Sequence, residues 1–389
     1  MKKHLFESCF LDSLLLRNRF VRSATHEGLA DDSGLYTPQL TDLYARLAAD
    51  EAGLIITGHT FVSPEGKASP KQAAASDDAV ELWRIATELV HRNGGTIALQ
   101  LAHGGGNALD WTAAIGPSPF RHPSKKGECR EASAAELDAV VSAFGAAAKR
   151  AREGGFDAVQ IHAAHGYLIS EFLSPFYNRR TDEYGGTLEN RMRLLIRVYD
   201  AVRRAVGEAF PVLIKINSGD FVDGGFTTDD CVAVCRELER RGLNGIEISG
   251  GIPEAGAKLS PVRAVNPEKA SEPVYYESAA KRVKSAVSIP VILVGGIRWL
   301  ETAERLLEED ACDFISLSRP LIAEPDLIRR WNTEDSFRSA CVTCNACFRP
   351  ILTGKGSIAR NGPGKAPPAL TRTAEMPSAG IPDPGERRV

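Results

Sequence analysis

Eight short apolar runs, each followed by a helical stretch, constrain this chain more than any other feature. They are RFVRSA (19–24), GLIITGH (53–59), TIALQL (96–101), DAVQIH (157–162), VLIKIN (212–217), GIEIS (245–249), PVILVG (290–295) and DFISLS (313–318). Their β-branched, nearly continuous apolar character is that of parallel strands covered on both faces. Between them lie the helix candidates 37–51, 76–93, 133–154, 187–206 and 227–242, with shorter ones near 275–287, 299–309 and 325–332. Several open on Ser or Thr followed by acids and several close on Gly, as caps prefer. Eight β/α units fit an α/β fold closed into a (β/α)8 TIM barrel better than an open sheet. The barrel is expected over residues 1–350. Residues 351–389, rich in Pro and Gly, are expected to form a disordered tail without function.

Composition narrows the function classes. With 47 basic and 50 acidic residues the net charge is −3, so no global field points to nucleic acid or an anionic membrane. No run of 18 apolar residues occurs, and MKKHLFESCFLDSLLL at the N-terminus lacks a signal peptide's unbroken apolar core, so a cytoplasmic location is expected. Eight cysteines are too few for a disulfide scaffold in 389 residues. Small-molecule chemistry is the class that survives, and assembly into a homo-oligomer is left open.

In such a barrel the polar residues at the carboxyl ends of the strands read as the active site. Here they are Thr25 and His26, Gly58 and His59, Gln100 and His103, then Gln160, His162, His165 and Tyr167, followed by Lys215, Ser249 with Gly250 and Gly251, Gly295 and Gly296, and Ser318 with Arg319. Paired glycines let backbone amides approach a ligand, and Arg319 adds a cationic fork. Together they suggest a phosphate site after strands seven and eight, although double glycines also close ordinary turns. Lys215 sits inside an apolar strand. It could form a Schiff base in a lyase, stabilise negative charge on a bound ring, or merely snorkel. His162 and His165 could be structural or half a metal site, yet no further ligand pair completes a zinc set. The remaining reading is a pair of imidazole donors converging on one substrate oxygen, with the Tyr167 phenol nearby to give a proton. No Walker loop, nucleophile elbow or strand-borne dinucleotide fingerprint occurs, so a nicotinamide would lack a dedicated Rossmann domain.

With HAAHGYLISEFLSPFYNRRTDEYGGTLENRMRLL, QLAHGG, VGGI and SRPLIAEPDL in this order, the chain resembles the old yellow enzyme family of FMN-dependent NAD(P)H oxidoreductases, over about residues 5–350. It is nearest the barrel of the 2,4-dienoyl-CoA reductase branch, without that branch's C-terminal domains. The resemblance implies that Ala24, Thr25, His26 and Gly58 line the flavin, that Gln100 bonds its pyrimidine edge and that Lys215 lies near N1 and O2. It implies that Gly250, Gly295, Gly296, Ser318 and Arg319 hold the phosphate. His162 and His165 match the donors to the substrate's carbonyl or nitro oxygen, and Tyr167 matches the proton donor. The implied reaction is ping-pong reduction of an activated alkene, an enone or enoyl thioester, by NADH or NADPH.

Three departures stand out. His26 occupies a position beside the flavin where relatives carry Thr or Cys, a departure that resembles the dienoyl-CoA reductase branch. Gly106 replaces an arginine. CVTCNAC, with Cys341, Cys344 and Cys347, is similar to an iron–sulfur motif but has one residue fewer between its second and third cysteines and no cysteine after 347. A four-iron cluster takes four thiolates, so no stable cluster and no metal are expected.

Overall fold

The computed structural model describes residues 4–123, 125–264, 268–333, 338–351 and 356. All eight expected strands are present: β1 Phe20–Arg22, β2 Leu54–Ile56, β3 Thr96–Ala102, β4 Ala158–Ala163, β5 Val212–Asn217, β6 Gly245–Ser249, β7 Val291–Val294 and β8 Phe314–Leu317. They pair in parallel in chain order. β8 meets β1 and β2 meets β3, so the sheet closes on itself as a (β/α)8 barrel.

The helices fall where the caps placed them: α1 Pro38–Ala49, α2 Ala79–Arg92, α3 Ala134–Glu153, α4 Leu188–Val206, α5 Thr228–Arg240, α6 Glu277–Lys284 and α7 Leu300–Glu308, with Leu327–Thr333 following β8. Ser133 with Glu136, and Thr227 with Asp230, form reciprocal capping boxes that occupy otherwise unpaired backbone N–H groups. Thr37 and Thr187 cap α1 and α4 through their hydroxyls.

Strand periodicity explains how one sheet makes both a core and a site. Outward residues such as Ile97, Val159, Ile214 and Ile246 are buried against the helices. Inward residues change character with height. The lower layer is apolar, with Val21, Leu54, Ala98, Ala158, Leu213, Ile292 and Phe314 packed together. At about 1.5–3 kcal/mol for each large apolar side chain, this layer anchors the barrel. Two residues further along the same strands, the inward positions are Ser23, Gln100, Gln160, Lys215 and Ser316, with Glu247 on β6.

An N-terminal hairpin, Cys9–Leu11 with Leu14–Leu16, places Leu11 and Leu16 in the apolar layer and caps the barrel's amino end. Sequence reasoning did not include it. Nor did it include the short helices Leu168–Leu173 and Arg319–Ala323, which are too brief to show a 3.6-residue period. Ile351, placed in the tail by composition, is buried against Gly28. The disorder expected of the tail falls on 352–355 and 357–389, which lie outside the described residues. Among the described residues no helix is long and apolar enough to cross a membrane.

Candidate active site

A cavity of about 210 Å³ opens at the carboxyl end of the barrel. Ala24, Thr25, His26, Gln100, His162, His165, Tyr167, Lys215, Gly295, Ser318 and Arg319 all line it, so residues scattered over nearly 300 positions meet in one place. A smaller space of about 40 Å³ continues it past Val294, Gly295, Gly296, Ser318 and Arg319. Gly58 and Gly250 stand behind this lining. The Gly58 N–H donates to Glu27 at 3.0 Å, and the Gly250 carbonyl accepts from the Tyr276 hydroxyl at 2.8 Å.

The floor is a buried polar network. Lys215 Nζ lies 3.2 Å from Glu247 Oε2 and donates to Ser23 Oγ at 2.7 Å. Glu247 also accepts from Ser23 Oγ at 2.7 Å, Ser316 Oγ at 2.8 Å and Gln160 Nε2 at 2.8 Å, while Gln100 donates to Gln160 at 2.7 Å. Burial pushes the Glu247 carboxyl up, but Lys215 and the donors outweigh it and hold the group below its ordinary value. Burial pulls the Lys215 ammonium down, and Glu247 opposes that pull. A lysine held this way has its Nζ spent on two partners, which removes the main attraction of the Schiff-base reading. Sequence reasoning missed Glu247. The available signal was an acid in an apolar strand, in register with Lys215 on the neighbouring strand.

One wall is aromatic. The His162 ring lies 4.7 Å from that of Tyr167 and 5.2 Å from that of His165, nearly perpendicular to the latter. His165 has a positive φ of 67° and is held by an N–H bond to Asn217 Oδ1 at 3.1 Å. Its Nε2 is 2.7 Å from Ser249 Oγ, so it faces the cavity with one nitrogen already engaged. His162 Nδ1 is buried without a partner. Burial, reinforced by Lys215 and the neighbouring imidazoles, holds both histidines well below their ordinary pKa and therefore neutral. Burial alone pushes the Tyr167 phenol up to about 12. Neutral imidazoles beside a protonated phenol form a donor surface without net charge.

The opposite end carries the glycines. Gly295 and Gly296 have φ of +110° and +81°, a conformation that glycine reaches without strain. A Cβ on either would come within about 3.0 Å of the Tyr275 ring. Arg319 Nη1 donates to Asn345 Oδ1 at 2.7 Å and to the Arg263 carbonyl at 2.7 Å, which ties the glycine end to the loop of the three cysteines. Cys341 and Cys347 are half-buried and Cys344 is exposed; among the described residues no group of three His, Cys, Asp or Glu side chains could hold a metal ion. Gly106, where the resemblance led one to expect an arginine, faces Phe120, whose ring occupies the space a side chain would need.

These residues fit FMN. An amide and an ammonium stand at one end, a glycine cradle with a guanidinium at the other, and an aromatic wall faces the space between. The model of the NADH:flavin oxidoreductase / NADH oxidase family matches residues 4–335, and the chain belongs to that family. It is an FMN-dependent oxidoreductase.

A 4,4'-dithiodibutanoate disulfide reductase from Rhodococcus erythropolis is 31% identical, over 92% of this chain and 95% of the relative. A metal reductase from Desulforamulus reducens is 35% identical over 88% of this chain, and an NADH oxidase from Thermoanaerobacter brockii is 32% identical over 88%. The chain spans only 50% and 53% of the lengths of these two. Among solved structures, an old yellow enzyme homologue from Zymomonas mobilis superposes with a TM-score of 0.74 at 27% identity, covering 87% of this chain and 95% of that one. The family and the geometry of Lys215 together displace the lyase alternative.

Proposed function

We propose that this protein is an ene-reductase that passes electrons from NADH or NADPH to an activated alkene in a ping-pong sequence. Bound FMN would supply the hydride chemistry, with Gln100 and Lys215 at its ring and Gly295, Gly296, Ser318 and Arg319 at its phosphate. Ala24, Thr25 and His26 would lie along the ring edge, with Gly58 and Gly250 as packing support. The observation that carries this reading is the convergence of His162, His165 and Tyr167 on the cavity that Lys215, paired with His162 on the adjacent strand, also lines.

The neutral imidazoles of His162 and His165 donate to the substrate's electron-withdrawing oxygen, and these bonds strengthen as charge accumulates there. Tyr167 then gives its phenolic proton to the α-carbon. Fixed, partly desolvated donors need little reorganisation at that moment, which is where their contribution to rate lies.

The disulfide reductase that matches over nearly its whole length favours a second acceptor class, organic disulfides, at the same site. Here the imidazoles would stabilise the departing thiolate and Tyr167 would protonate it. An anaerobic stopped-flow comparison of enones, enoyl thioesters and disulfides against the reduced enzyme tests both readings. Reoxidation by an alkene within the turnover time supports ene-reduction. Reoxidation by disulfides alone replaces it with the second reading, and reoxidation by neither overturns both.

A further inference from the structure

His59 is the one imidazole in the cavity wall that the chemistry above leaves without a task. It is buried, lies just after β2, and lines the cavity beside Tyr167. Its Nε2 lies 3.4 Å from the Tyr167 hydroxyl and the two rings are 5.5 Å apart. On its other side the His26 ring packs at 4.9 Å, with a buried Nε2 that has no partner. His26 is itself partly exposed and also lines the cavity. The three side chains thus form a file of ring contacts from the partly exposed His26 to the phenol.

We infer that His59 is a proton-relay residue that reloads Tyr167 between turnovers. The inference rests on the proposed role of Tyr167 as proton donor. After the phenolic O–H bond breaks and the substrate C–H bond forms, a phenolate is left in a desolvated place, where it is costly. His59 passes its Nε2 proton to that oxygen while its Nδ1 takes one proton from solvent admitted beside His26. The net transfer is one proton from solvent to tyrosine. The imidazole ends neutral, as its other tautomer, and regains the first through solvent exchange. A neutral imidazole can do this because it holds one N–H and one lone pair at the same time. While product still lies on His162 and His165 it covers the partly exposed face of the phenol, and the His59 contact is the route that remains.

The test uses the FMN-loaded enzyme with two variants, His59→Phe and His59→Gln. The relay predicts that steady-state alkene reduction by His59→Phe falls at least fivefold more than its first turnover, because the first proton is already on Tyr167. Added imidazole should restore much of the loss. Glutamine can hydrogen-bond to Tyr167 but cannot shuttle a proton, so His59→Gln should be as slow as His59→Phe. Recovery in His59→Gln, or no rescue by imidazole, overturns the relay and leaves a positioning role.

A readout independent of turnover is the ¹⁵N spectrum of histidine-labelled protein. The His59 ring resonance, assigned by its loss in either variant, should move by several ppm in Tyr167→Phe, and an unmoved resonance also overturns the relay. Tyr167→Phe separates the two levels. If it reduces alkenes at the wild-type rate, the donor role itself fails. If it is slow while both His59 variants turn over normally, only the relay fails.

Discussion

Lys215 and Glu247 face each other from adjacent strands, paired in register, and their charged ends meet 3.2 Å apart inside the barrel. Neither is more than 3% exposed, and every oxygen of Glu247 has a hydrogen-bond donor. Removing one partner of a buried pair leaves an uncompensated charge, which costs about 3–5 kcal/mol. Glu247→Ala should therefore unfold at a clearly lower denaturant midpoint. The double variant Glu247→Leu/Lys215→Met should regain much of the loss while binding FMN more weakly. Equal midpoints for wild type and Glu247→Ala would show that the network contributes nothing to stability.

Tyr167→Phe should slow alkene reduction by about 100-fold, the lower end of what a positioned general acid supplies. Flavin reduction by NADH or NADPH should change little, so rapid-mixing measurement of each half-reaction separates the roles. Equal losses in both would contradict the donor assignment.

The same tyrosine fixes a pH window. Its folded pKa, about 12, lies above the ordinary value near ~10. The stability gained by keeping the phenol neutral is therefore whole below about pH 10 and is lost as pH rises toward 12. Wild type should lose stability faster than Tyr167→Phe across that interval in a urea series. His162 and His165, held neutral, should contribute no basic limb to the alkene half-reaction between pH 7 and about 10.

Gly106 and Phe120 should behave as a coupled pair. Gly106→Ala inserts a methyl against the Phe120 ring and should cost about 1–3 kcal/mol, as overpacking does. Adding Phe120→Ala should recover part of that cost. A double-mutant cycle on denaturant midpoints gives the coupling, and additive losses would mean the two sites do not share space.

Anaerobically purified protein should contain FMN and no stoichiometric iron or sulfide, and a chelator should leave its melting temperature unchanged. Iron and sulfide at several atoms per chain would assign Cys341, Cys344 and Cys347 to a cluster.

How much of this was legible in the letters depends on the length over which each signal repeats. Strands such as VLIKIN announce themselves by residue type, and the helices by caps such as Ser133 with Glu136. The site residues stood out because polar groups at strand ends are few. The hairpin at 9–16 was not legible, since three-residue strands show no period. Glu247 was missed because its meaning lies in a partner 32 positions away on the neighbouring strand. His59 was visible at the end of its strand, but its contact with Tyr167 arises only when β2 and β4 are brought round the same cavity. The Tyr275 ring over Gly295 and Gly296 likewise belongs to the loop's path, which local preferences do not specify.

Among the described residues the hairpin covers the barrel's amino end, and the cavity opens at the carboxyl end. A reductant and an oxidant that must each touch the same inner surface cannot enter from opposite sides, so they wait for one another. For the proposed chemistry, alternation would then be a property of the architecture, enforced by Leu11 and Leu16 at the far end from where any reactant arrives.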